Sequence, residues 1–95
     1  MMETATIIDV RKEPARNESG LTIPGAARLL PSDAAKRWRE FEGKPVILFC
    51  VHGHEISQSA SALFAENGID AHYMAGGFEA WRAAGLPVAK ADSAT

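Results

Sequence analysis

Apolar residues fall along the chain in short runs, separated by polar stretches that carry glycine and proline. Residues 46–50, Val-Ile-Leu-Phe-Cys, are apolar without alternation, the pattern of a strand buried on both faces. Residues 4–10, Thr-Ala-Thr-Ile-Ile-Asp-Val, are rich in β-branched side chains and read as a first strand. Residues 26–30 suit a short buried strand after the turn signal Ile23-Pro24-Gly25, and residues 69–74 suit another. Helical spacing appears three times. Ser57 opens a helix with Ala60, Leu63 and Phe64 on one face and Gly68 as its stop. Pro31-Ser32-Asp33 starts an earlier one, with Ser32 as N-cap, Ala35, Trp38 and Phe41 facing inward, and Gly43 at its end. Residues 78–84 form a third, with Phe78 and Trp81 inward, Gly85 at the C-cap and Pro87 just beyond. Residues 12–20 are polar with Pro14 and Gly20 and read as a loop. Residues 89–95 read as a disordered tail.

Strands that alternate with helices at this spacing predict an α/β fold with a mostly parallel central sheet, as one domain over residues 1–88. Parallel strands bring their C-terminal ends to one edge. Asp9 and Arg11 are therefore expected beside Cys50, at the edge where α/β proteins usually place their chemistry.

Composition narrows the function classes. A chain of 95 residues, 46% hydrophobic and 23% charged, has the balance of an ordinary globular domain. A net charge of −2 points to neither nucleic acid nor an anionic membrane as partner. No apolar run approaches the ~20 residues that span a bilayer, and the N-terminus lacks a signal-peptide pattern. The single cysteine cannot form an internal disulfide. It suits a reducing, cytoplasmic setting and leaves the thiol available.

That thiol carries the candidate chemistry. Cys50 ends the central strand and is followed by Val51, His52, Gly53, His54, Glu55, Ile56 and Ser57, not by more core. A cysteine between a strand and a helix N-terminus can act as a thiolate nucleophile. Loop amides, the helix dipole and protonated His52 or His54 would favour the thiolate. Glu55 opposes it, because a nearby carboxylate raises a thiol's pKa and repels anions. Thiolate, imidazole and carboxylate are also metal-ligand types, but here they crowd into one short segment, whereas closed structural sites draw on two. No metal and no cofactor is expected. His72 is expected at or near the surface. Neither a Ser/His/Asp triad nor a Walker loop is present.

Four segments in order resemble the rhodanese-like sulfurtransferases. They are Ile7-Ile8-Asp9-Val10-Arg11, then Gly20-Leu-Thr-Ile-Pro-Gly-Ala26, then Phe49-Cys50-Val-His-Gly53, and finally the stretch from Met74-Ala-Gly-Gly-Phe-Glu-Ala-Trp81 to Val88. The resemblance implies a rhodanese-like three-layer α/β/α domain. It also implies a sulfur relay in which Cys50 takes a sulfane sulfur from a donor such as thiosulfate, a persulfide or a polysulfide. Residues 51–57 would cradle the Cys50 persulfide, and cyanide, a small thiol or a protein cysteine would accept the sulfur. Asp9 and Arg11 would brace the site.

The chain also departs from the family's pattern. Thr22 stands where a histidine is usual, which is expected to affect packing only. The usual N-terminal strand and helix are not recognisable, so a sheet edge or face is expected to lie bare, where a partner or a second copy in a homodimer could cover it. With Ser57 opening the helix, residues 50–56 make a seven-residue loop, one longer than is usual for sulfurtransferases. That length belongs to relatives with a Cys-x5-Arg pattern that handle arsenate or phosphate, yet Ile56 occupies the arginine position. Without a guanidinium a dianion has no bidentate partner, so a less charged donor is expected. Two alternatives remain: an arsenate- or phosphate-handling enzyme, and a redox-sensing or metal-binding module.

Overall fold

A computed structural model describes residues 5–52 and 55–91. In chain order its elements are β1 (Thr6–Asp9), α1 (Glu13–Ser19), β2 (Leu21–Thr22), β3 (Ala27–Arg28), α2 (Ala34–Arg37), β4 (Val46–Phe49), α3 (Glu55–Glu66), β5 (Ala71–Tyr73), α4 (Gly77–Ala83) and β6 (Ala89–Lys90). Strands β3, β1, β4 and β5 form a parallel sheet in that order, with Ile8 opposite Leu48 and Asp9 opposite Phe49. The expected mixed α/β architecture with a mostly parallel central sheet is the one observed. No helix among the described residues is long and apolar enough to cross a membrane.

Side-chain alternation along the two inner strands divides the core. Ile8, Val10, Val46, Leu48 and Cys50 face one layer with Ala60 and Phe64 of α3, and Trp38 and Phe41 pack against them. Ile7 and Phe49 face the opposite layer with Ile23 and Phe78. Phe64 is fully buried and stacks obliquely on Phe41 at a centroid distance of 5.9 Å. Helix α3 ends in left-handed Gly68, where the Ile69 amide returns to the Phe64 carbonyl at 3.1 Å, satisfying an otherwise orphaned acceptor.

Several expectations need correction. Residues 12–20 are not a loop. Residues 13–19 form α1, a polar helix with only Arg16 buried. Pro14 sits in its first turn and Gly20 caps it in the left-handed region at φ 69°. Both are helix-boundary signals as well as loop signals. The helix expected from Pro31 is broken into a 3-10 turn (Pro31–Asp33), α2 and a second 3-10 turn (Trp38–Phe41), and Ser32 makes no cap bond. Ala34 is buried and Ala35 exposed, because the coil starts at Pro31, two residues before the start that a Ser32 cap would give, while Trp38 and Phe41 pack inward as expected. Helix α3 begins at Glu55, not Ser57, so Ile56 and Ser57 lie in its first turn. The seven-residue loop is therefore shorter than expected at its helical end. Ala89 and Lys90, expected in a disordered tail, form β6 and pair antiparallel with β2. The Trp81 indole holds the Pro87 carbonyl at 2.7 Å and directs the chain to that open edge. Residues 92–95 lie outside the described residues.

The C-terminal ends of β1 and β4 are locked by a buried ion pair. Asp9 and Arg11 are each 1% exposed. The Asp9 carboxylate accepts bonds from Arg11 N, Nε and Nη2 at 3.1, 3.0 and 2.8 Å. Arg16 Nε and Thr22 Oγ1 add two more at 3.1 Å each. The Arg11 guanidinium lies 4.4 Å from the centroid of the Phe78 ring and 5.4 Å from that of Phe49. Desolvated cation–π contacts of this kind contribute on the order of 2 kcal/mol. Thr22 is thus more than packing, because its hydroxyl completes the carboxylate's shell.

Burial alone would raise the Asp9 pKa, but the hydrogen bonds and charge of Arg11 outweigh it and hold the carboxyl below its usual value. A lowered folded-state pKa adds stability that is fully present above the unfolded value of about 3.9 and is lost as pH falls through the folded one. Asp9→Asn, which leaves buried guanidiniums without their counter-charge, should cost about 3 kcal/mol near neutral pH. In urea unfolding across a pH series, the gap between wild type and variant should narrow below about pH 3.9. A gap independent of pH would contradict this role. A second test concerns Gly76, which is left-handed at φ 79° and whose added Cβ would stand 2.6 Å from Ala80 Cβ. Gly76→Ala should lower stability by at least about 1 kcal/mol, read from the same urea midpoint.

Candidate active site

Strand β4 delivers Cys50 to the sheet edge with 5% of its surface exposed. Two helices then fix it. The first-turn amides of α4 have no intrahelical partners. Two of them bind the backbone of the candidate loop instead: Phe78 N donates to the Cys50 carbonyl at 2.8 Å and Glu79 N to the Val51 carbonyl at 3.0 Å. The turn Ala75-Gly76-Gly77 makes this approach possible, with Gly77 N returning to Met74 O at 3.0 Å. On the other side the first turn of α3 brings Ser57, which is fully buried, to the thiol. Its Oγ lies 3.2 Å from Cys50 Sγ.

Beside the thiol is a pocket of about 250 Å³ lined by Arg11, Lys12, Ala15, Cys50, Val51, His52, Glu55 and Ile56. Five of the expected site residues, Cys50, Val51, His52, Glu55 and Ile56, therefore share one cavity. Ser57 stands behind it. Gly53 and His54 lie outside the described residues. Arg11 contributes to the wall while its guanidinium is held by Asp9, which does not itself line the pocket. His72 is exposed on β5 and bonds to Asp70 at 2.8 Å, away from this cavity.

Glu55 is exposed in the first turn of α3. A carboxylate there stabilises the helix through its dipole, a favourable role beside the unfavourable one toward the thiol. Ile56 presents hydrocarbon where a dianion site would need a guanidinium. It also lines a second groove of about 300 Å³ with Pro31, Ala34 and Leu63.

Lys12 and Ala15 were not anticipated in the pocket. They reach it because α1 packs over the end of β1. Pro14 and Gly20, read as the two ends of a helix, would have pointed to them. Arg16 was also missed, since a buried arginine in a polar stretch leaves no periodic signal.

Chemically the arrangement offers a nearly buried thiol, a hydroxyl at hydrogen-bond distance, the N-terminal turn of a twelve-residue helix and nearby cations. A helix N-terminus, a hydroxyl donor and nearby cations favour a thiolate, whereas burial of the sulfur opposes it.

Comparison with known proteins agrees with this geometry. Residues 1–84 match the family model described as "Rhodanese-like domain". A relative named thiosulfate sulfurtransferase GlpE, from Actinobacillus succinogenes, is 38% identical over 88 residues, covering 90% of this chain and 77% of that protein. The crystal structure of a full-length protein from Lactobacillus plantarum superposes with a TM-score of 0.85 at 25% identity, covering 95% of this chain and 76% of the other. A thiosulfate sulfurtransferase from Pseudomonas aeruginosa superposes at 0.76 and 26% identity, covering 95% of this chain but 17% of that larger one. Because the family match runs through both central strands, the cysteine and the whole of the last helix, the chain belongs to the rhodanese-like domain family.

Proposed function

We propose that the protein is a sulfurtransferase that moves a sulfane sulfur from a donor to a thiol or cyanide acceptor through a persulfide on Cys50. The observation that carries this reading is the placement of the chain's only cysteine in a pocket beside a helix N-terminus, with its backbone pinned by α4. In the first step the Cys50 thiolate attacks the outer sulfur of the donor. A Cys50–sulfur bond forms, the donor's S–S bond breaks, and its remaining fragment leaves with the electron pair. In the second step the acceptor attacks the outer sulfur and Cys50 leaves as thiolate. Splitting one transfer into two is ordinary covalent catalysis. No cofactor is required for either step.

The pocket favours a donor of low charge. Ile56, Val51 and Ala15 supply hydrocarbon, and the Glu55 carboxylate opposes a dianion. An organic persulfide or polysulfide, which brings at most one charge, fits better than the thiosulfate dianion. The same features disfavour phosphate and arsenate, since the Arg11 guanidinium is committed to Asp9. A single thiol that must return reduced after each turnover suits a reducing compartment such as the cytoplasm, where small thiols and protein cysteines are available as acceptors.

Steady-state assay with cyanide as acceptor tests the reading. Parallel double-reciprocal lines are expected, with higher kcat/KM for polysulfide than for thiosulfate and loss of activity to background in Cys50→Ser. Activity retained by Cys50→Ser would refute it. Glu55→Gln should raise the rate of Cys50 alkylation by neutral iodoacetamide at neutral pH. A rise of up to about fivefold is expected, the range of an exposed charge pair, and it should shrink with added salt. Unchanged or slower alkylation across a pH series would show that Glu55 does not act on the thiol.

A further inference from the structure

The contact between Cys50 Sγ and Ser57 Oγ, 3.2 Å long and buried, has a direction that depends on the state of the sulfur. While Cys50 is a thiol, either atom can donate. Once the sulfur is ionised it has only lone pairs, and the hydroxyl must be the donor. A hydrogen bond to a charged acceptor is about twice as strong as one between neutral groups. The contact is therefore weak whenever Sγ is neutral, as thiol or as the inner sulfur of a persulfide, and strong when Sγ is a thiolate.

We propose that Ser57 is a positioning residue that stabilises Cys50 as a thiolate and thereby favours its departure in the second sulfur transfer more than its attack in the first. The asymmetry rests on the sulfur-relay reading and follows from the bonds that change. In the first step, Cys50–S⁻ attacks the outer sulfur of R–S–S⁻. The Cys50–sulfur bond forms, the donor S–S bond breaks, and RS⁻ leaves with the bonding pair. Stabilising the attacking thiolate increases its population but reduces its intrinsic nucleophilicity. With a Brønsted coefficient of about 0.4–0.5, roughly half of the gain is cancelled. In the second step, cyanide attacks the outer sulfur of Cys50–S–S⁻. The C–S bond of thiocyanate forms, the Cys50 S–S bond breaks, and Sγ takes the electron pair and becomes the thiolate. Here the hydroxyl's help grows toward the transition state and nothing offsets it, since a better-stabilised thiolate is a better leaving group. No external oxidant or reductant enters either step.

The fold supports a positional role. Ser57 is fully buried in the first turn of α3, and Cys50 is tied through its carbonyl to Phe78 N at 2.8 Å. Each partner is held by a different helix, so the Sγ–Oγ distance is set by the packing of α3 and α4 against β4. Such preorganised donors contribute to rate because little reorganisation is needed as charge develops.

The test compares wild type with Ser57→Ala and Ser57→Thr in two measurements, with the fold of each variant checked by urea unfolding. Iodoacetamide alkylation across pH reports the ionisation of Cys50. Ser57→Ala should raise the midpoint by about one pH unit, a tenfold change in the equilibrium. Ser57→Thr, which keeps the hydroxyl, should return it toward wild type. Rapid-mixing rates are then taken separately for loading by polysulfide and for unloading by cyanide, at a pH above both midpoints. Loading by Ser57→Ala should match or exceed wild type there, because its thiolate is fully formed and more nucleophilic. Unloading should remain several-fold slower. A midpoint unmoved by alanine, or a threonine variant that titrates like the alanine one, would overturn the proposal. So would loading and unloading slowed equally above the midpoints. The titration requires no sulfur transfer. A wild-type protein that transfers none would defeat the relay reading while leaving the Ser57 contact to be judged by its titration.

Discussion

The buried pair of Asp9 and Arg11 is the constraint on which the site's geometry depends. Two charges removed from water carry a large desolvation cost, and the pair is tolerated because nearly every polar valence is met. The carboxylate takes donors from three side chains, and Arg11 spreads its charge over the Phe49 and Phe78 rings while donating to the Leu21 carbonyl at 2.6 Å. Those contacts belong to β1, α1, β2, β4 and α4. One ion pair thus connects the strand preceding the thiol, the helix over the pocket and the helix that pins the loop.

Around that anchor the two helices flanking Cys50 have different tasks. Helix α4 spends two first-turn amides on the carbonyls of Cys50 and Val51. Helix α3 faces the sulfur itself with its own first turn and the Ser57 hydroxyl. An electropositive helix end close to a thiol lowers the cost of ionising it. Lys12 and Glu55 then adjust the field of the pocket, one cation against one anion, since the charge of Arg11 is balanced by Asp9. Ile56 and Ala15 add an aliphatic wall to the same pocket.

Much of this was legible in the chain because the inner strands are so apolar. Uninterrupted Val46 to Cys50 can be buried only in the middle of a sheet, and parallel pairing then places Asp9, Arg11 and Cys50 at one edge. The features that escaped detection have local physical causes. Helix α1 buries one arginine and no aliphatic face, so hydrophobic periodicity is silent there, and its Pro14 and Gly20 carry two meanings. The start of α3 moved upstream because Glu55, an acidic residue suited to a helix's first turn, can begin it as well as Ser57 can. Strand β6 depends on an edge that β2 offers and on the Trp81 bond to Pro87, neither visible in a small polar stretch. Thr22 shows the same limit: its bond to Asp9 spans thirteen residues and exists only once the fold has formed.

Intact-mass spectrometry after brief exposure to polysulfide, followed by cyanide, addresses the proposed relay most directly. The account predicts a single added mass of about 32 Da, one sulfur atom as a persulfide, carried on Cys50, removed by cyanide and absent from Cys50→Ser. A protein that acquires no such adduct from polysulfide or from thiosulfate, or that keeps the adduct after Cys50 is replaced, would contradict it.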